Sequence, residues 1–210
     1  MLTQSRAIRA DDGDMAVALC GACTGIAYMS EFVPSRDIWT HGGGWPLPDL
    51  LRSALASLLL RGPTHRAVYF ASPWITDFAL FDNRFRDYAA LFPRLADTPW
   101  IHFSDYLHLL AQTIEVRLVT TRNERSDAFL DMPLIRGTAN MNARTGHASF
   151  HEKGILAPSF YIEGSMNLTR HGVHLRGEKV VYHTALSDPL PAKLANAYLE
   201  FDRNWASMAL

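Results

Sequence analysis

The order of apolar and polar positions predicts helices that alternate with strands through the middle of the chain. Apolar residues recur at helical spacing in four segments bounded by proline, glycine or polar capping residues: 46–60, 82–92, 104–113 with Ser104 as N-cap, and 124–132. Short runs rich in β-branched and aromatic residues predict buried strands at 67–72 and 114–121. Helices alternating with strands are typical of a parallel sheet covered by helices.

The last third of the chain has a different pattern. Three short β-type segments separated by turns, 147–157, 159–165 and 178–184, precede a long amphipathic helix at 189–208. Together the two patterns predict an α/β fold with a mixed central sheet. Because no stretch has the composition of a linker, we predict a single domain over residues 1–210, with an irregular and then helical segment over about 1–45.

Composition and charge narrow the class of protein. The chain has 210 residues, 48% of them hydrophobic and 20% charged, with a net charge of −1. It therefore forms a real core and is not a general polycation for nucleic acid, so any such binding is local or depends on assembly. No apolar run reaches the length of a membrane span, and the first residues lack the apolar stretch of a secretory signal. With only two cysteines, these features predict a cytoplasmic protein that does not bind a membrane.

Three short motifs suggest chemistry that the rest of the chain does not support. Cys20 and Cys23 form one CxxC in a small-residue segment, which favours buried thiols and leaves metal or redox use as the alternative. The His41–Gly44 glycine run is similar to an oxyanion loop, but the chain lacks the nucleophile elbow that this chemistry needs. Asn167-Leu168-Thr169 is a glycosylation sequon without a secretory signal. No glycine-rich phosphate loop is present, so nucleotide cofactors have no support and we predict no cofactor.

The segment that indicates chemistry begins at His151. In a strand, His151 and Lys153 point to the same face, where the lysine charge anchors a phosphate oxygen and disfavours protonation of the imidazole. The following strand brings Gly164, Ser165 and Asn167 to the same end, and Ser and Asn donate hydrogen bonds to phosphate oxygens. Glu178 comes later and is a candidate partner for the second nitrogen of a histidine.

This ordered set resembles the phospholipase D superfamily, whose HKD motif reads H-x-K-x4-D and is followed by G-S-x-N. The resemblance covers about residues 66–205 and implies an α/β/α sandwich in which one histidine attacks phosphorus and a second protonates the leaving oxygen. It implies catalytic roles for His151, Lys153, Ser165, Asn167 and Glu178, without a metal. The chain is more closely similar to proteins of bacterial gene clusters that insert 7-deazaguanine derivatives into DNA and restrict unmodified DNA. The residues that show this similarity are 72–77, Asp82-Asn83 and 151–173.

The chain departs from the HKD motif in two ways. The aspartate of the motif falls at Pro158, and the interval to Gly164 is one residue short. The chain also has only one HxK, and the nearest imitation, His174-Leu175-Arg176, lacks a GSxN companion. Since the implied mechanism uses two histidines, we predict a homodimer with both copies of His151 in one composite site.

The ends of the predicted parallel strands supply further candidates for substrate contact. Ligands of α/β sheets bind beyond the carboxyl ends of such strands. Ser72 and Trp74 follow the first of these strands, and Thr120 and Arg122 end the second. Trp74 is either a stacking surface for a base or an aromatic residue packed under the N-terminal segment, and Arg122 is either a phosphate ligand or a solvated loop charge. From the GSxN segment, Gly164 and Thr169 complete this set of predicted substrate contacts.

These residues predict a metal-independent phosphodiesterase, most simply a nuclease acting on DNA within a bacterial defence system. A phospholipid phosphodiesterase is one alternative. A non-catalytic DNA-binding or scaffold subunit that keeps the phosphate pocket is the other, and the loss of the motif aspartate at Pro158 favours it. The predicted partners are a second copy of the chain, DNA and other subunits of a defence complex.

Overall fold

A computed structural model describes residues 35–40, 46–185 and 191–208. These residues belong to one compact unit, Glu31–Leu210. The single domain over 1–210 stays a prediction, because residues 1–34 are outside the described ranges. The predictions for Cys20, Cys23 and the His41–Gly44 run also lie outside them.

Most of the strands join one mixed sheet. The described ranges contain β1 Ser35–Trp39, β2 Val68–Ala71, β3 Ala79–Asp82, β4 Trp100–His102, β5 Val116–Thr121, β6 Met141–Gly146, β7 Gly154–Ala157, β8 Phe160–Gly164 and β9 Lys179–Thr184. Seven of them form a sheet in the order β1-β9-β8-β7-β2-β5-β6, and β3 pairs with β4 separately. Strands β2, β5 and β6 are parallel, whereas the remaining pairs are antiparallel.

Helices cover both faces of this sheet. They are α1 Pro46–Leu60, α2 Phe103–Leu110, α3 Glu124–Leu130, α4 Pro133–Arg136 and α5 Ala192–Ser207, with a 3-10 turn at Pro93–Leu95 and a π-helical turn at His171–Leu175. Alternate residues of β2 face opposite layers, because side chains alternate along a strand. Val68 and Phe70 pack with α1 and α2, whereas Tyr69 and Ala71 pack with α5. The predicted α/β/α sandwich with a mixed sheet is therefore confirmed.

The described helices differ in length and apolar character, and none of them is both long enough and apolar enough to cross a membrane.

Several predicted elements are confirmed with close bounds, but the helix predicted at 82–92 is wrong. Residues 79–82 form β3 and a series of turns follows, in which Arg86 adopts a positive φ of 63°. The Asn83 side-chain amide donates to the carbonyl oxygens of Leu95, Ala96 and Thr98, at 3.0 to 3.3 Å. These tertiary bonds hold the segment against the 93–98 loop, so its helix-like apolar spacing does not produce a helix.

Two finer predictions also differ from the structure. The N-cap of α2 is His102, whose backbone N–H donates to the Asp105 carboxylate at 3.0 Å, and Ser104 lies inside the first turn. The strand predicted at 147–157 begins only at Gly154, so His151 and Lys153 precede β7. The pattern also missed β1, β3, β4 and β6.

The topology brings several chain segments to one end of the sheet. Because β8 is antiparallel to β7, and β7 is antiparallel to β2, the carboxyl ends of β2, β5 and β8 lie with the amino ends of β7 and β9. We call this the site end, defined by the residues that directly follow β2, β5 and β8 and those that directly precede β7 and β9.

Candidate phosphodiesterase site

The site end gathers the five residues of the HxK and GSxN segments and Glu178. Lys153 directly precedes β7, and Glu178 directly precedes β9. Ser165 and Asn167 follow β8, and the Gly164 N–H donates to the Lys153 carbonyl oxygen at 3.4 Å. Residues that are far apart in the chain are therefore neighbours because of the strand order.

His151 and Lys153 contact each other although they lie before β7 and not within it. The Lys153 Nζ lies 2.9 Å from His151 Nε2 and 3.2 Å from the His151 carbonyl oxygen. An ammonium group only donates, so Nε2 is the acceptor in this contact. The His151 side chain is exposed, which leaves it accessible to a substrate or to a second protein chain.

The environment of Lys153 is suited to an incoming anion. Partial burial lowers the pKa of Lys153, and the nearby Glu178 carboxylate acts in the opposite direction by favouring the ammonium form. A phosphate beside Nζ would add to the effect of Glu178, since a second negative charge stabilises the ammonium.

Glu178 is buried and holds the turn that follows β8. Its carboxylate accepts a hydrogen bond from Ser165 Oγ. Ser165 Oγ also accepts from the Lys179 N–H at 3.1 Å, and the Ser165 N–H donates to the Lys179 carbonyl oxygen at 3.0 Å. Within the described residues Glu178 makes no hydrogen bond to a histidine, so its role toward an imidazole stays a prediction.

Gly164 is needed for the backbone geometry of this turn. Its φ is +153°, and a Cβ there would overlap the Lys179 carbonyl oxygen and lie 2.8 Å from Val180 Cα. The close approach seen in the structure is therefore between β8 and β9. A contact of Gly164 with substrate remains a prediction.

Asn167 is buried next to Ser72, which directly follows β2. Ser72 Oγ lies 3.2 Å from the Asn167 side-chain amide and accepts from the Leu168 N–H at 3.2 Å. Asn167 also lines a cavity.

The predicted contacts after β2 and β5 divide into a buried group and an exposed group. Ser72 and Thr120 are fully buried and therefore lie beneath the rim on which we expected them. Thr120 Oγ1 donates to the Pro73 carbonyl oxygen at 3.1 Å, and Ser72 Oγ donates to the Trp74 carbonyl oxygen at 2.8 Å. Both hydroxyls thus hold the loop that carries Trp74. Arg122 is exposed and pairs loosely with Asp127 at 3.4 Å.

Trp74 and Thr169 line a cavity of about 510 Å³ that adjoins Asn167. Trp74 is 48% exposed. The alternative in which it packs under the N-terminal segment concerns residues outside the described ranges. Residues outside the predicted substrate contacts complete the lining: Asn123, Glu124, Arg125, His171, Gly172 and Arg176. Of these, only Asn123 has a sequence signal, because a polar capping residue just before an apolar-periodic segment marks the start of a helix.

A second histidine does not contact His151 in the described residues. His147 Nδ1 bonds Ser149 Oγ at 2.9 Å, and the His174 ring packs against Phe78. Burial also lowers the pKa of His174, which favours its neutral form. No group of three or more potential metal-binding side chains occurs among the described residues.

Comparison with known proteins supports the fold. No protein-family model matches the chain, and no curated protein is similar to it in sequence. Among solved structures, it is similar to a phospholipase D family member, Nuc from Salmonella typhimurium, with 16% identity, a TM-score of 0.51 and coverage of 84% of this chain and 96% of that one. NucT from Helicobacter pylori is also similar, with 13% identity, a TM-score of 0.53 and coverage of 84% and 98%. The chain therefore has the fold of phospholipase D family members.

Proposed function

We propose that the chain is a metal-independent phosphodiesterase, a nuclease that cleaves DNA through a covalent intermediate on His151. The observation that carries the proposal is the contact of 2.9 Å between the Lys153 ammonium and His151 Nε2. It joins a nucleophile to an anion-binding cation at the same sheet end as the Asn167 amide. The fold shared with a phospholipase D family member supports this function.

The proposed reaction has two steps. His151 Nε2 attacks phosphorus, forming an N–P bond while the bond from phosphorus to a deoxyribose oxygen breaks, and a second imidazole gives its proton to that oxygen. The second imidazole then takes a proton from water, whose oxygen attacks phosphorus and breaks the N–P bond. A phosphate oxygen that accepts from Lys153 competes with Nε2 and thereby frees the nitrogen lone pair. Lys153 and Asn167 neutralise or bind the phosphate oxygens, so the reaction needs no metal.

The second imidazole in this proposal is His151 of a second copy of the chain. The exposure of His151 and its lack of a histidine partner in the described residues support this arrangement. In a two-fold dimer the same patch of each chain meets its copy, so one His151 faces the other. Each dimer then has one composite active site.

The proposed biological role is restriction of DNA within a phage-defence system. It rests on the similarity of residues 72–77, Asp82-Asn83 and 151–173 to the phospholipase D-like protein DpdK. That protein comes from gene clusters that insert 7-deazaguanine derivatives into DNA. In this role the chain acts with other subunits of the defence complex.

The non-catalytic scaffold alternative depends on Pro158, where the HKD motif has aspartate. Pro158 and Ser159 form the turn between β7 and β8, because Ala157 pairs with Phe160. This turn is at the end of the sheet opposite the site end. The substitution therefore changes a distant turn and leaves the phosphate-binding residues in place, which favours the enzyme over the scaffold.

Plasmid cleavage with a matched pair of histidine variants tests the activity. We expect His151→Ala to abolish cleavage and His65→Ala, at an exposed position before β2, to keep it. EDTA should leave the wild-type rate unchanged, and phosphatidylcholine should not be hydrolysed. Loss of activity in EDTA with recovery in magnesium contradicts the mechanism. Hydrolysis of the lipid but not of DNA favours the phospholipid alternative.

Mixing wild-type and His151→Ala chains tests the composite site. With subunit exchange at equal amounts, about a quarter of the dimers are wild-type homodimers, and activity per wild-type chain falls to about half. Independent sites keep this activity constant. A constant value after verified exchange rejects the shared site and directs attention to His147 or His174 as the second acid.

A further inference from the structure

The cavity beside Asn167 presents an aromatic face to solvent. Trp74 is held at its mouth through its backbone, because Ser72 Oγ donates to its carbonyl oxygen at 2.8 Å. The neighbouring Ile75 N–H donates to the buried Ser126 Oγ at 3.1 Å. The indole is thus 48% exposed on an anchored loop, which is the arrangement of a stacking platform.

The charges around the cavity favour an anion. Arg125 and Arg176 line it, and neither guanidinium forms an ion pair with any residue in the ranges that the structure describes. His171 is a third basic group there, and Glu124 is the acidic one. Guanidinium groups beside an exposed indole suit the phosphate and base of a nucleotide.

The π-helical turn that lines the cavity packs against Asn167 of the proposed phosphate site. A Cβ on Gly172 would overlap the Asn167 carbonyl oxygen and lie 3.0 Å from the Asn167 backbone nitrogen. Thr169 Oγ1 accepts from the Gly172 N–H at 3.1 Å, and Thr40 Oγ1 donates to the Arg176 carbonyl oxygen at 3.0 Å. The π-helical turn is therefore packed directly on the residue that we propose to bind the scissile phosphate.

We infer that this cavity binds an unpaired nucleotide next to the scissile phosphate, so that the preferred substrate is single-stranded DNA. The inference rests on the proposed function for the position of the phosphate. The base stacks on Trp74, and the adjoining phosphate lies against Arg125 and Arg176. A volume of about 510 Å³ is within the usual range for a pocket that encloses a small ligand. A base inside a duplex is already stacked on both faces and cannot stack on an indole.

Binding of a fluorescent ten-nucleotide oligothymidylate, followed by anisotropy in a His151→Ala background, tests the inference without cleavage. Trp74→Ala should weaken binding about 5- to 150-fold, the range for one stacked base. Trp74→Phe should recover most of the affinity. Phe85→Ala, which removes an aromatic side chain that is 81% exposed outside the cavity, should change it less than twofold. Arg176→Ala should reduce the slope of log affinity against log salt by about 0.7.

The same decamer annealed to oligoadenylate is the control for strandedness, and it should bind more weakly and respond little to Trp74→Ala. Equal binding of the oligothymidylate by wild type and Trp74→Ala, tighter binding of the duplex, or no binding at all overturns the inference. If binding depends on Trp74 but wild-type protein cleaves no DNA, the nucleotide site stands and the proposed nuclease activity fails. If His151-dependent cleavage occurs without any effect of Trp74→Ala on strand preference, the nuclease stands and the nucleotide site fails.

Discussion

Replacement of Gly164 by alanine should separate the geometry of the turn after β8 from general effects of a glycine-to-alanine change. The backbone of Gly164 has a φ of +153°, a conformation that costs a residue with a Cβ about 1–3 kcal/mol. The added methyl group would also overlap the Lys179 carbonyl oxygen and lie 2.8 Å from Val180 Cα. Relieving this overlap requires β8 and β9 to separate, at a further cost of about 1–3 kcal/mol. We therefore expect the free energy of unfolding to fall by about 2–6 kcal/mol.

Urea denaturation followed by circular dichroism measures this change. Gly62→Ala is the matched control, because a Cβ at Gly62 meets no atom within 4 Å. It should leave stability unchanged or raise it by up to about 1 kcal/mol. The separation of β8 and β9 should also move Ser165 away from Glu178, so Gly164→Ala should lose cleavage activity at temperatures where it is still folded. A Gly164→Ala protein as stable as Gly62→Ala would refute the close approach and the strained backbone.

Three further changes test single contacts of the structure. Glu178→Gln removes the charge that favours the ammonium form of Lys153, so the fall of the cleavage rate at alkaline pH should begin at lower pH than in wild type. Burial lowers the pKa of His174 in the folded chain, so below about pH 6.5 the unfolded chain binds more protons than the folded chain. The free energy of unfolding therefore falls on acidification. His174→Gln should reduce this fall, measured by denaturation at pH 7 and pH 5. Ser126→Ala leaves the buried Ile75 N–H without its acceptor and should cost about 1–3 kcal/mol of stability by urea denaturation.

A specific result would contradict each of these three expectations. An unchanged alkaline limb in Glu178→Gln would show that this carboxylate does not act on Lys153. An equal loss of stability on acidification in wild type and His174→Gln would assign the acid dependence to other groups. For Ser126→Ala, the control is Ser57→Ala, since Ser57 Oγ donates only to a carbonyl oxygen of its own helix, at 2.6 Å. Equal stability of these two serine variants would reject the proposed role of the Ser126 hydroxyl.

Local signals in the sequence predict an element correctly where the residues that bound it and its buried positions agree. Helix α1 has the predicted bounds, Pro46–Leu60, because proline begins it and Arg61-Gly62-Pro63 cannot continue it. Strands β2 and β5 were predicted because both are apolar, central and parallel. By contrast, β6 has the polar sequence MNARTG and pairs only through β5 at the sheet edge, so it has little apolar signal.

The candidate site was likewise predictable only in part from local signals. The HxK spacing predicted the contact of His151 with Lys153, although the residues lie in the segment before β7 and not in a strand. The network around the Pro73 carbonyl oxygen could not be predicted, because its donors are side chains of the 120–126 segment, far from Pro73 in the chain. Only the pairing of β2 with β5 brings them together. The basic lining of the cavity likewise depends on how the π-helical turn packs against Asn167.

The proposed mechanism is tested most directly by a search for the covalent bond between His151 and phosphorus. Wild-type protein is mixed with a short single-stranded oligonucleotide, stopped within the first turnover by denaturant at alkaline pH, and digested for mass spectrometry. A covalent mechanism predicts that the peptide containing His151 gains the mass of one cleavage fragment, attached at His151, and that His151→Ala gains none. Cleavage of the oligonucleotide with no adduct during the first turnover, or with an adduct on a different residue, would contradict it.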